Sequence, residues 1–340
     1  MGYRVAVVGA TGIVGREILS ILSSRSFPIS KVTALASWRS VGRKLSFGDQ
    51  PLIVEDLENH NFSETDLCFM SAGSDVSTNW CPRIGELGCV TIDNSSAWRY
   101  HLDVPLVVPE VNPASILQYS SRNIISNPNC STIQLVVALK PLHDLACIQR
   151  VVVSSYQSVS GAGRNDMIDL YDHTKGVCST MKVATAPSSA KSLAFNVVPH
   201  IDVFMEDGYS REEWKMMVET KKMLDPNIEV VATAVRVPVF IGHSEAVTVE
   251  FERPISVSEA MIALREAPGC RVLEEKEDYI TPREIAGTDF VYVSRLRRDI
   301  SVEKGLAMWI VADNLRKGAA LNAVQIAELL VTRNLVRPRA

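Results

Sequence analysis

Nothing in the sequence reads as a membrane span: no apolar run approaches the roughly 18 consecutive residues that a spanning helix needs. Neither sign of charge is in excess, with 35 Lys and Arg against 39 Asp and Glu and a formal net charge of −4. Nucleic acid and anionic membrane are therefore not expected as partners. Cysteine pairs at metal-binding or redox spacing are also missing. The seven cysteines (Cys68, Cys81, Cys89, Cys130, Cys147, Cys178 and Cys270) are odd in number and scattered, with no CxxC pair. That argues against a disulfide framework and a zinc site, so no metal is expected, and a reducing cytoplasm is the default setting. Six of the seven read as small buried hydrophobes. Internal repeats and low-complexity tracts are absent.

What is present is a normal globular balance, 46% hydrophobic and 22% charged over 340 residues, enough for a substantial core and for two domains. The opening apolar run, Val5-Ala6-Val7-Val8, is cut short by Gly9, Thr11 and Gly12 and has no cleavage signal after it. It reads as a strand, Tyr3–Val8, and not as a signal peptide. A helix over 15–23 follows, with Ile18, Leu19 and Leu22 on one face, then strands over 32–37, 67–71 and 90–93. This alternation predicts βαβ units around a parallel sheet. A turn at Asn127-Pro128-Asn129 leads into a helix over 131–142. Beyond about residue 150 the segments 150–157, 230–239 and 245–251 alternate in Val, Thr and Ala, predicting a mostly antiparallel sheet packed by helices. Residues 158–212 read as irregular, and 313–335 as helical.

Gly9-Ala10-Thr11-Gly12-Ile13-Val14-Gly15 sits between that first strand and its helix. This GxxGxxG is a variant of the dinucleotide fingerprint, in which glycines let the backbone approach a pyrophosphate at a helix N-terminus. At the end of the second strand an NAD site usually carries an acid for the ribose 2′-hydroxyl. Here the sequence is Ala36-Ser37-Trp38-Arg39-Ser40, with none. Arg39 suits a 2′-phosphate, with Ser37 and Ser40 as hydrogen-bonding partners, so NADP is favoured over NAD; the alternative is an ordinary surface arginine.

Cys130 stands directly before an apolar helix, where free N–H groups and the dipole stabilise a thiolate. On position alone it is either a nucleophile or a buried thiol near a helix start. His243, in Ile241-Gly242-His243-Ser244-Glu245, lies at the mouth of a strand and outside any apolar stripe. It is either an acid/base partner or a surface loop residue. Arg236 interrupts a strand that otherwise reads as buried, so its charge needs a partner: a structural salt bridge, or a substrate carboxylate held by two parallel hydrogen bonds.

Taken together the motifs resemble one family, the aspartate-semialdehyde dehydrogenases. The resemblance runs nearly end to end: GATGIVG at 9–15, SWRSVG at 37–42, SAGS at 71–74, DNSSAWR at 93–99 and SNPNCST at 126–132. It continues with YQSVSGAG at 156–163, NVVPHID at 196–202, REEWK at 211–215, RVPVFIGHSEAV at 236–247 and DNLRKGAA at 313–320. It implies an α/β fold, with a Rossmann-type dinucleotide-binding domain (1–129 plus 314–340) and an α+β catalytic and dimerisation domain (130–313). It implies Cys130 as nucleophile, His243 as acid/base and Gln157 orienting the acyl group. Arg236 would hold the substrate carboxylate and Glu212 its amino group, with Glu213 the neighbouring alternative. Arg99 and Lys215, with Asn129, would form the phosphate site. Gly9, Thr11, Gly12, Ile13, Val14, Ser37, Arg39, Ser160, Gly161 and Asn314 would contact NADP.

The activity so implied is NADPH-dependent reductive dephosphorylation of L-4-aspartyl phosphate to L-aspartate 4-semialdehyde and phosphate, through a Cys130 thioester. The family serves lysine (through diaminopimelate), threonine, methionine and isoleucine synthesis, and its members are commonly dimers or tetramers, so a homodimer is expected. N-acetyl-glutamyl-phosphate reductase, the same chemistry on a related fold, usually reads GCYPT where this chain has NCSTI. A cysteine hydrolase has no use for the glycine turn and Arg39. A non-catalytic nucleotide-binding module has no use for Cys130, Gln157, Arg236 and His243 together.

Overall fold

The computed structural model describes residues 2–180, 191–274 and 278–339. In chain order the first elements are β1 (Tyr3–Val8), α1 (Ile13–Ser24), β2 (Ile29–Ala36), β3 (Lys44–Phe47), β4 (Gln50–Asp56) and β5 (Leu67–Met70). Then come α2 (Ser74–Glu86), β6 (Val90–Asp93), β7 (Ile124–Ser126), α3 (Cys130–Ala146), β8 (Ile148–Gln157) and α4 (Arg164–Thr180). The rest are α5 (Arg211–Met223), β9 (Glu229–Arg236), β10 (His243–Phe251), α6 (Val257–Glu266), β11 (Cys270–Val272), α7 (Pro282–Ile285), β12 (Val291–Arg298), β13 (Gly305–Ala312) and α8 (Leu321–Thr332). The chain divides into two compact units, 1–129 with 319–340, and 130–318. The contacts return the chain to the first unit at Ala319, where the sequence reading had put 314, because Asn314 and its neighbours are bonded within the second unit.

In the first unit the described residues form a seven-stranded sheet in the order β3-β4-β2-β1-β5-β6-β7, parallel except for the β3–β4 hairpin. Strand β1 is buried on both faces. Val5 and Val7 join a cluster with Ile18 and Leu22 of α1 and Val324 and Ala327 of α8, while Ala6 and Val8 join Cys81 and Ile84 of α2. Each wholly buried valine contributes roughly 1.5–3 kcal/mol. This continuous apolar run, unlike the alternation of a half-exposed strand, is the signature of a parallel sheet covered on both sides. Asn127 fixes the far end of the unit. Its amide donates to Asn94 Oδ1 at 2.8 Å, and its own Oδ1 accepts from Asn322 at 2.6 Å.

In the second unit the order is β11-β12-β13-β10-β8-β9. The three central pairings are antiparallel, but β8–β9 and β11–β12 are parallel, so the sheet is mixed where a mostly antiparallel one was expected. The stretch 158–212, expected to be irregular, contains α4. Of the α4 side chains that are described, Leu170 alone is buried, which explains why no apolar stripe announced the helix. Residues 181–190 of that stretch lie outside the described residues. The expected helical tail begins later than 313, as a π-helical turn (Arg316–Ala320) leading into α8.

Candidate active site

Three glycines shape the turn after β1. Gly9 has φ +77°, and a Cβ there would sit 2.2 Å from the Ser71 carbonyl oxygen. A Cβ on Gly15 would meet the Gly9 carbonyl at 2.3 Å, and one on Gly12 at 3.2 Å. Helix α1 then starts without a side-chain cap and without an acid in its first turn. Its first N–H groups have no intrahelical acceptor, which suits a phosphate. The cradle thus fits a dinucleotide, and Thr11, Ile13 and Val14 lie along it. At the end of β2, Ser37 and Arg39 are exposed, Ser40 is half-buried, and the Arg39 guanidinium stacks over Trp38 at 5.5 Å. Also in the first unit, Arg99 is buried and donates from Nε to the Asn127 carbonyl at 2.9 Å and from a terminal nitrogen to the Asn94 carbonyl at 3.0 Å. Asn129 is buried at the unit's edge.

The second unit gathers most of the other candidates on one face of its sheet. Gln157 ends β8 and Arg236 ends β9, and the two are register partners on neighbouring parallel strands. His243 begins β10, and its side chain leaves the sheet on the same side as those of Val247, Val249 and Phe251. It is wholly buried, separated from those apolar side chains by Glu245, and so is not a surface loop residue. Cys130 is the first residue of α3, half-buried, with Sγ 3.3 Å from His243 Nε2. Gly318 packs behind it, where a Cβ would come within 3.1 Å of the Cys130 Cβ.

The other imidazole nitrogen decides the proton's position. Ser158 N–H donates to His243 Nδ1 at 3.0 Å, and Ser158 Oγ lies 3.2 Å away. A main-chain N–H can only donate, so Nδ1 is the acceptor and the neutral ring carries its hydrogen on Nε2, facing sulfur. Burial, with the Arg236 charge beside it, brings the His243 pKa down to about 3. Ser158 is in turn bonded to Asn314 and Ser160, and Asn314 Oδ1 also accepts from Gly242 N at 2.8 Å. Ser160 and Asn314, expected as cofactor contacts, are therefore also tied to the mounting of the imidazole. Gly161 lies alongside, where a Cβ would come within 3.4 Å of His243 Nε2.

On the other side, Gln157 Nε2 donates to Glu212 Oε1 at 3.2 Å, and Lys215 Nζ donates to Glu212 Oε2 at 3.2 Å and Asp202 at 2.7 Å. Burial opposes the Lys215 charge, but Glu212 and Asp202 outweigh it and hold its proton more tightly than usual. Glu213 is occupied elsewhere: it closes a capping box with Ser210 and accepts from Ala234 N at 2.9 Å. Glu212 is thus the member of the pair that faces the candidate site. Arg236 is half-buried, donates to the Ser158 carbonyl at 2.7 Å, and has no acid within salt-bridge distance among the described residues. Burial draws its guanidinium below the usual range, while the charges of Cys130 and Glu212 pull it back up.

Sequence reasoning missed Ser158, the residue that sets the tautomer, and Gln134, whose amide reaches the His243 carbonyl at 3.4 Å. Ser158 carried a signal only as a small polar residue next to Gln157 at a strand end. Cys147 and Cys178 are exposed, against the expectation that they are buried. Among the described residues no helix is long and apolar enough to cross a membrane.

Residues 4–119 match the NAD-binding domain of the semialdehyde dehydrogenases, and residues 139–317 match their dimerisation domain. The class is thereby defined: a semialdehyde dehydrogenase, an oxidoreductase with a nicotinamide-dinucleotide domain followed by a mixed-sheet domain. Aspartate-semialdehyde dehydrogenase of Aquifex aeolicus is 52% identical over 99% of this chain and all of its own. A crystal structure of aspartate semialdehyde dehydrogenase II of Vibrio cholerae complexed with ASA is 46% identical, with a TM-score of 0.94 over 98% of this chain and 99% of that one. The Candida albicans enzyme with NADP is 27% identical, with a TM-score of 0.76 over 98% of this chain and 100% of that one. The chain belongs to the aspartate-semialdehyde dehydrogenase family, as its motifs led one to expect.

Proposed function

We propose that the protein reduces L-4-aspartyl phosphate to L-aspartate 4-semialdehyde, releasing phosphate, through a thioester on Cys130. The single observation that carries this reading is the Cys130 Sγ–His243 Nε2 contact at 3.3 Å, with the ring proton turned toward sulfur by Ser158. A neutral imidazole already protonated at Nε2 is no base for a thiol; it is a donor to a thiolate. The start of α3 and the nearby Arg236 charge favour that thiolate.

Sulfur attacks the acyl carbon and the C–O bond to phosphate breaks, with Lys215 and Arg99 taking the charge of the leaving group. NADPH held by the Gly9–Val14 turn would supply the hydride that this thioester needs. The tetrahedral oxyanion then collapses to the aldehyde and returns the electron pair to sulfur, where the His243 Nε2–H receives it. Arg236 binds the substrate carboxylate, Glu212 its amine, and Gln157 orients the acyl group. NADP is favoured by the exposed Arg39 at an acid-free strand end and by the NADP-bound Candida albicans relative. The match to a dimerisation domain supports a homodimer.

The test is phosphate-dependent NADP reduction with aspartate semialdehyde, run beside N-acetyl-glutamate semialdehyde. The wild type should turn over the first substrate, and Cys130→Ser should lose nearly all turnover while still binding NADPH. Substantial activity in the variant, or preference for the acetylated substrate, would overturn the reading.

A further inference from the structure

Glu245 follows His243 by two residues on β10, so both side chains leave the sheet on the same face. The residue is wholly buried, and neither carboxylate oxygen has a hydrogen-bond partner. An ionised carboxylate in that position would be an uncompensated charge in the core. Beside it lies Gln134, also wholly buried, four residues along α3 from Cys130 and so on the same face of that helix. Gln134 Nε2 donates to the His243 carbonyl at 3.4 Å, while its Oε1 has no donor. An acceptor without a protein donor and an unpartnered carboxyl, both buried, lack one proton between them. Supplying it on the carboxyl satisfies both groups at once.

We propose that Glu245 is held as a neutral carboxylic acid whose O–H donates to Gln134 Oε1, a buried bridge that positions the Cys130–His243 pair. The bridge joins the helix carrying the sulfur to the strand carrying the imidazole, one helical turn away from the contact itself. Burial pushes the Glu245 carboxyl well above its ordinary range and outweighs the Gln134 side chain, which pulls it down, consistent with the neutral form. Glu245 makes no hydrogen bond to the sulfur or the ring; it is a positioning residue that acts through Gln134. The proposal rests on the reading of Cys130 and His243 as the reacting pair.

The experiment uses the full-length protein and the variants Glu245→Gln, Glu245→Leu and Gln134→Leu. Infrared difference spectra of wild type minus Glu245→Gln, at about pH 8 where surface carboxylates are ionised, should show a protonated carboxylic C=O band. Glu245→Gln keeps a neutral donor to Gln134 and should retain most of the wild-type kcat. Each leucine variant should lose roughly 10- to 100-fold in kcat, with KM for the acyl phosphate unchanged, and combining them should cost little more than either alone. Absence of the C=O band, Glu245→Gln falling as far as Glu245→Leu, or a change in KM in place of kcat would each overturn the bridge. If a leucine variant fails to fold, the band and the glutamine variant decide. A wild type without turnover of aspartyl phosphate would instead sink the functional reading, and the infrared band would still test the bridge.

Discussion

The main-chain N–H of Ser158 gives His243 a fixed chemical identity, because a ring nitrogen that accepts cannot also hold the proton. Protonating this ring means charging a buried group against Arg236, and its pKa in the fold is about 3 against an ordinary 6.5. The unfolded chain therefore binds the extra proton first. The contribution of His243 to stability is fully present above pH 6.5 and is lost as the pH drops from 6.5 toward 3, by an amount on the order of 5 kcal/mol over that window. Urea midpoints at stepped pH should show this loss in the wild type and a shallower one in His243→Gln. The same displacement should leave kcat/KM without an acid limb near pH 6.5. Cys130, His243 and Gln157 could be singled out in the sequence because their residue types and motifs carry chemistry. Ser158 could not, since its contribution is a backbone hydrogen whose direction only the folded strand end defines. Glu245 was in plain view as a charge in the buried phase of an alternating strand.

Among the elements, α5 shows why neighbouring acids do different work. Glu213 occupies the third helical position and is consumed by Ser210 and by the Ala234 N–H, whereas Glu212, one residue earlier, faces Gln157 and Lys215. Glu213→Ala should cost about 1–2 kcal/mol of stability with KM unchanged, while Glu212→Gln should raise KM severalfold with little effect on Tm. Parallel thermal melts and initial-rate kinetics check both; a KM effect from Glu213→Ala would reverse the assignment. Strands β1, β2, β5 and β6 were legible because each carries a short apolar run, whereas the largely exposed β3 and β4 and the three-residue β7 carry no such run and were not read. Strand β13, Gly305–Ala312, is a continuous apolar run lying centrally in its sheet, and periodicity alone does not separate such a run from a buried helix. The Gln157–Arg236 partnership depends on the register of β8 and β9, which are parallel and far apart in the chain, and no local pattern encodes it.

For the whole molecule, the second unit leaves Phe195, Val197, Val203 and Phe204 at least half exposed. The chain matches a dimerisation domain, and these exposed apolar side chains are the ones proposed to meet a second copy. Sedimentation should give a dimer, and Phe204→Glu should shift it toward monomer; a wild-type monomer would refute this. The scattered thiols also acquire a use at this scale. Cys68, Cys81, Cys89 and Cys270 are sealed inside, while Cys147 and Cys178 are open to solvent and Cys130 is partly so. A chromogenic disulfide reagent should therefore colour in two stages, a prompt burst from the accessible sulfurs and a delayed rise from the sealed ones that keeps time with global opening. Loading the acyl group onto the enzyme should remove one sulfur from the burst and none from the rise, so a single trace would report both occupancy of the nucleophile and the rate at which the core comes apart.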